Sequence, residues 1–257
     1  MLKKLGITGL CAFFSMGAYA GDAIYGTAYG TELPLIFSSI ITVSGGPAWA
    51  NPGQNQYFYP MTQPPFIEHF HYNSNTGILA TGEIFFGLQR IVQPGIIGEL
   101  GIGLAGASDA SAKGEVDIDG VVDVNSFAYK IDHGRVEFKG RLISNYFQLV
   151  QPYISTSFGA GFNNTHAYVP YTVDPILYPP SWFDSATNIA FSYTVGLGVQ
   201  TSLSPNWQVG IGYEFADWGK NYLGTDAAEI LGFGPGLTHL YTNELLLSIS
   251  YIFSTPL

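Results

Sequence analysis

The residues of this chain that could do chemistry are few. Glu68, His69 and His71 spell E-H-x-H. On an extended backbone side chains alternate with a period of two, so His69 and His71 share a side. Two imidazoles and a carboxylate could hold a metal ion, but they are an incomplete set of protein ligands. Asp117, Asp119 and Asp123 in "DIDGVVD" resemble a calcium loop but lack its closing Glu. An acidic, solvated loop tip accounts for both stretches. His239, with threonines nearby, is the nearest approach to a base beside a hydroxyl. On these grounds no catalytic, cofactor-binding or metal-binding residue is assigned.

A second group of charges is more orderly. In "GRVEFKGRLI", Arg135, Glu137, Lys139 and Arg141 fall on one parity, and Val136, Phe138 and Leu142 on the other. That is a β-strand with one charged and one apolar face. Glu83, Glu99, Glu214 and Glu244 occupy the same kind of position elsewhere. In "TGILATGEIFFGLQ" Glu83 opposes Ile84, Phe86 and Leu88, and in "GELGIGLAG" Glu99 opposes Leu100, Ile102 and Leu104. Glu214 opposes Trp207, Val209, Ile211, Tyr213 and Phe215, while Glu244 opposes Leu245, Leu247, Ile249, Tyr251 and Phe253. Similar alternation starts at Leu35 and recurs over 150–162 and 189–203, giving eight strands.

Composition narrows what such strands build. Apolar residues make up 47% of the chain and charged residues only 11%, against roughly 25% charged in soluble domains. No apolar run after the N-terminus reaches the ~18 residues of a membrane helix. Residues 1–20 carry Lys3 and Lys4, an apolar stretch and Ala18-Tyr19-Ala20, the pattern of a secretory signal peptide. The single cysteine, Cys11, lies within it, so no disulfide or thiolate site is expected in the mature chain. The net charge of −10 becomes −12 without Lys3 and Lys4. A surface that acidic is a poor partner for nucleic acid.

The connections alternate between long (about 46–75, 112–125, 163–187 and 218–238) and short (about 91–95, 144–148 and 204–206). Long loops on one side, short turns and both termini on the other, is the plan of an outer-membrane barrel. Closure pairs the last strand with the first and leaves no aggregating edge. The expected fold is therefore all-β: an eight-stranded antiparallel up-and-down transmembrane β-barrel with short periplasmic turns and long extracellular loops. It spans residues 35–257, after a short periplasmic segment at 21–34.

The strand ending in Tyr251 and Phe253, with the stretches "VSGGPAWANPGQ" (43–54) and "YEFADWGKNYLG" (213–224), resembles the small bacterial outer-membrane barrels of the OmpA-transmembrane-domain and Opa type. It is close to a paralogous set of surface barrels that mostly have no assigned activity. The resemblance implies an exported protein at the cell surface and delivery of its C-terminal strand to the outer-membrane assembly machinery. It also implies contact with outer-membrane lipid and lipopolysaccharide. Some such barrels are lipid A-modifying enzymes, which remains the alternative, with a narrow pore behind it.

A barrel of ~8 strands has an interior that side chains can fill. Glu83, Glu99, Arg135, Glu137, Lys139, Arg141, Glu214 and Glu244 are thus read as an incomplete luminal charge network, with Glu99 paired to Arg141. Trp207, Tyr213, Tyr251 and Phe253 are read as an interface girdle. Gly212, facing inward, is expected to accept a small polar side chain better than Ile211, facing lipid, accepts Arg. Trp49, Tyr57, Tyr59, Phe70, Tyr168, Tyr171 and Trp182 crowd the long loops, either to pack or to recognise a host or surface ligand. The function expected is non-enzymatic: surface interaction, adhesion or envelope integrity.

Overall fold

Eight strands close on themselves. In the computed structural model they are β1 (Ser38–Ala50), β4 (Gly77–Gln93), β5 (Ile96–Ile118), β6 (Val121–Ser144), β7 (Gln151–Thr172), β8 (Ala186–Ser202), β9 (Trp207–Asp217) and β12 (Tyr241–Phe253). Each pairs antiparallel with its chain neighbour in the ring, and β12 closes it by pairing with β1, Ser39 opposite Phe253. Two short strands, β2 (Gln56–Phe58) and β3 (Glu68–Tyr72), lie between β1 and β4 and add to the free edge of β5. β10 (Asn221–Tyr222) and β11 (Gly236–Leu237) form a small ribbon between β9 and β12. The structure describes residues 37–50, 52–58, 67–73, 77–147, 149–178, 180–225 and 233–253. Residues 1–20, expected as a signal peptide, and the 21–34 segment lie outside them, as does Tyr59.

The ring has an apolar outer belt. Val43, Ile84, Phe86, Leu100, Ile102, Val136, Ile154, Val195, Ile211 and Leu247 all point outward and are exposed. A water-soluble protein would bury such residues; in a bilayer they face acyl chains, and ring closure leaves no backbone edge unpaired in lipid. The short connections lie at one end. One is Pro94-Gly95, where Gly95 has φ +80°, a conformation that glycine adopts without steric cost.

Two strands run far beyond the belt. β5 has 23 residues and β6 has 24, whereas ~9–11 tilted residues cross the membrane. Their apolar face reverses along the way. On β6, Val136 and Phe138 point out, while Phe127, Tyr129 and Ile131 are buried inside. On β5, Leu104 points out but Ala110, Ala112, Val116 and Ile118 are buried, a β-bulge between Ala107 and Ala110 having turned the strand over. The reason is the solvent. Within the bilayer the outside is oil and the inside can be polar; above it the outside is water, so the apolar side chains turn inward.

The stretch 112–125, expected as a long loop, is therefore the top of a β5–β6 hairpin. Its tip is Asp119-Gly120, with φ of +49° and +83°, the signature of a two-residue type I′ turn. "DIDGVVD" is turn chemistry. Strand β7 likewise extends through 163–172, which had been assigned to the third loop.

Candidate functional site

The barrel interior has two layers, and the strand parity just described sets both. The lower layer, level with the lipid belt, is the charge network. Its members come from β4, β5, β6, β9 and β12, and all eight are nearly sealed from solvent. Lys139 Nζ donates to Glu83 Oε2 at 2.6 Å and Glu214 Oε2 at 2.8 Å. Arg135 Nη2 donates to Glu214 Oε1 at 2.8 Å. Arg135 Nε lies 2.7 Å from Glu137 Oε2 but off the N–H direction, so that contact is ionic and is not a hydrogen bond.

Nearer the short-turn end, Arg141 Nη1 donates to Glu99 Oε2 at 3.1 Å, as cross-strand partners in the β5–β6 register. Its Nη2 donates to Gln200 Oε1 at 2.9 Å. Glu244 is satisfied mostly by hydroxyls. Thr242 donates to its Oε1 at 2.7 Å and Thr81 to its Oε2 at 3.2 Å, while Arg135 stands 3.7 Å away. Five acids share three bases, and hydroxyls of Thr81, Thr242 and Ser157 donate to Glu244 and Glu137, while Glu99 Oε1 and Glu137 Oε1 have no hydrogen-bond partner among the described residues. All eight residues predicted from strand parity are brought together.

Little space remains among them. The cavity bounded by Thr42, Glu83, Lys139, Arg141, Tyr153 and Glu214 measures about 30 Å³, room for about two waters. Tyr153 accounts for much of the filling. The Arg141 guanidinium lies 4.2 Å over its ring, and its hydroxyl reaches across β8 to β9. A Cβ at Gly212 would sit 2.2 Å from that hydroxyl, and one at Gly198 2.5 Å. A side chain at Gly212 would therefore meet the tyrosine hydroxyl first. The inward glycines make a slot, and a tyrosine two strands away fills it.

The upper layer is apolar. Phe58 and Phe70 from β2 and β3, Phe127 and Tyr129 from β6, and Phe183 pack together with Leu223, Leu237 and Leu240. Phe70 and Phe127 have ring centroids 5.1 Å apart. Trp218, which the sequence reading passed over, sits between the layers. It is fully buried, donates its indole N–H to Thr242 at 2.9 Å, and carries the Arg135 guanidinium 4.3 Å over its ring. The only cue in the sequence is its place just after β9, in "ADWGKN".

The loops are tied down around this plug. Glu68 turns inward and accepts the Ser181 hydroxyl at 2.8 Å, joining the first long connection to the third. Gln54 accepts the Thr238 amide at 2.9 Å, joining the first to the fourth. Of the aromatic loop candidates, Phe70 is 1% exposed and belongs to the plug. Tyr168 is half-buried, edge-on to Phe183 at 5.1 Å. Both face inward because their strands continue above the membrane with apolar side chains turned in. Trp49, Tyr57, Tyr171 and Trp182 stay on the surface, joined by Val169, Val173, Ile176 and Leu177. Ile176 is 95% exposed.

The histidine nearest to a catalytic arrangement is His239, whose Nδ1 lies 2.8 Å from the buried Asp217 Oδ2. Among the described residues no hydroxyl hydrogen-bonds to its ring.

No family model matches the sequence, and no curated relative does. Among solved structures the chain is similar to Neisserial surface protein A, with 11% identity, 84% of this chain and 96% of that one covered, and a TM-score of 0.40. It is also similar to Ail, the attachment invasion locus protein of Yersinia pestis, with 12% identity, coverage of 84% and 99%, and a TM-score of 0.35. A third is the outer-membrane protease OmpT of Escherichia coli, with 10% identity, coverage of 85% and 99%, and a TM-score of 0.43. By fold, the chain is a small eight-stranded antiparallel β-barrel of the outer-membrane kind.

Proposed function

We propose that this protein is a non-enzymatic, non-conducting barrel of the bacterial outer membrane that acts at the cell surface, holding an apolar rim out for another protein. The observation that carries this reading is the exposed set on 169–182. Val169, Tyr171, Val173, Ile176, Leu177 and Trp182 lie in water, beside a plug that buries Phe58, Phe70, Phe127 and Phe183. Exposed apolar clusters of this kind accompany interaction sites more often than inert surface. Aromatic anchors among them are what protein interfaces favour.

The interior supports the non-conducting half of the reading, since charged and apolar layers fill it in turn. The lipid belt, lipopolysaccharide around it and the assembly machinery at β12 are the remaining partners proposed.

The test is adhesion. Cells displaying the protein would be compared with cells displaying Ile176→Ser/Leu177→Ser/Trp182→Ser, at matched surface abundance, for attachment to host cells and to each other. The expected result is attachment above that of a deletion strain, lost in the triple variant. Attachment equal in all three strains overturns the reading.

A further inference from the structure

His69 and His71 leave β3 on one side, and Asp117 leaves β5 on the same side. The β3–β5 ladder places His69 opposite Asp117 and His71 opposite Glu115. His71 Nε2 lies 2.6 Å from Asp117 Oδ2, and His69 Nδ1 lies 3.9 Å from the same oxygen. One donor atom from each of the three residues comes within 4.8 Å of the other two. Glu68, the carboxylate adjacent in sequence, is not among them, because it has the opposite parity and points into the barrel.

From this geometry we propose that His69, His71 and Asp117 form a binding site for one divalent first-row transition ion, Zn²⁺ foremost, on the outer wall of the extracellular hairpin. Two imidazoles and one carboxylate are borderline ligands that suit Zn²⁺, Cu²⁺ or Ni²⁺ and not the all-oxygen preferences of Ca²⁺ or Mg²⁺. Three protein ligands leave a fourth position for water.

The supporting contacts are those that orient metal ligands. Asp117 Oδ1 accepts the Asp123 amide at 2.9 Å, which leaves Oδ2 to face the histidines. Tyr57 stacks flat on His69, centroids 3.9 Å apart and planes 4° apart, fixing the ring. At the hairpin tip Asp119 Oδ1 accepts the Ile67 amide at 2.9 Å, and the Asp119 amide donates to Ile67 O at 3.0 Å. These two bonds set the register that brings β3 against Asp117.

The charged groups nearby, Glu115 and Asp123, are acidic and favour a cation. A neutral imidazole is the form that ligates. The ion would pin the first connection to β5, tying the rim to the barrel wall.

The experiment uses untagged full-length protein refolded in detergent, stripped with chelator and titrated calorimetrically with ZnCl₂. One ion per chain is expected. His69→Ala, His71→Ala and Asp117→Asn should each weaken binding by roughly 10–100-fold. His166→Ala, in a separate surface cluster with Asp109 and Asp132, should leave it unchanged. CaCl₂ should give no signal that competes with Zn²⁺. Heat-modifiable migration of every variant checks that the barrel has folded. Zero stoichiometry in the wild type, or equal affinity in the His69→Ala/His71→Ala double variant, overturns the site.

Discussion

Glu214 and Glu244 stand directly opposite each other on β9 and β12, a like-charge pair of the kind that weakens a sheet. Both reach Arg135, which enters from β6 across the lumen at 2.8 Å and 3.7 Å. The same guanidinium also meets Glu137 at 2.7 Å. With Glu83 at 3.7 Å, Arg135 therefore faces acids from β4, β6, β9 and β12 at once. Replacing it with Met removes the charge, keeps most of the volume and leaves the carboxylates facing one another. Breaking a buried ion pair from one side costs ~3–5 kcal/mol. Arg135→Met should destabilise the barrel by about that much in urea titrations from lipid vesicles, and adding Glu244→Gln should recover part of the loss. No change in midpoint would mean that water reaches and screens these groups.

Tyr153 and Gly212 make a second test. The clash expected for Gly212→Ala is chiefly with the phenolic oxygen, the Leu197 carbonyl oxygen and the ring carbon being 3.2 Å and 3.3 Å away. Overpacking of this sort costs ~1–3 kcal/mol. Gly212→Ala should lower stability in the wild type and do so much less in a Tyr153→Phe background. A double-mutant cycle reads the coupling directly. Additive effects would show that the tyrosine does not occupy the slot.

The reversal of the apolar face makes a third. Leu104 and Ser111 both point outward from β5 and are both exposed. Leu104 lies in the lipid belt, and Ser111 lies beyond the bulge, where its neighbours outside are Asp109 and Lys113. Leu104→Arg should cost ~2–4 kcal/mol, as for a charge on the lipid face of a barrel near the midplane. Ser111→Arg should cost far less, at most the ~0.2–1 kcal/mol of facing Lys130 directly across on β6. Folding titrations into vesicles would separate the two, and equal costs would place the membrane boundary elsewhere.

How legible all this was in the sequence depended on the range of the signal. The eight strands and the luminal charges follow from parity, which is local: Arg135, Glu137, Lys139 and Arg141 must share a face wherever that strand sits. Their pairing needed one further step, the register, which for Glu99 and Arg141 belongs to the β5–β6 hairpin with its tip at Asp119-Gly120. The upper half was harder. The alternation over 112–118 is faint in the sequence because small residues such as Ala112 and Gly114 carry little apolar weight, and the bulge before it inverts the face without disturbing the even-numbered pattern. Phe70 looked like a surface aromatic because nothing local says that β3 docks on β5. For the same reason Asp117, 46 residues from His71, was invisible as its partner. Tyr153 and Gly212 are 59 positions apart and meet only once three strands lie side by side.

The last prediction concerns conduction. A continuous path would have to pass Tyr153 and Arg141, the carboxylates around Lys139, the Trp218 indole, and then the Phe70–Phe127–Phe183 plug. The cavity beside Lys139 and Arg141 measures about 30 Å³, and the indole above it is hydrogen-bonded in place through Thr242. The plug adds a dry apolar layer, where an ion has no ligands and the cost of leaving water is at its largest. Two unrelated barriers in series mean that removing one should not open the barrel. Purified protein in planar bilayers is expected to show no steady conductance, and Trp218→Ala is expected to show none either. Stable, charge-selective currents from the wild type, altered in size or selectivity by Arg141→Ala, would place an open route through the network and replace the sealed barrel with a pore.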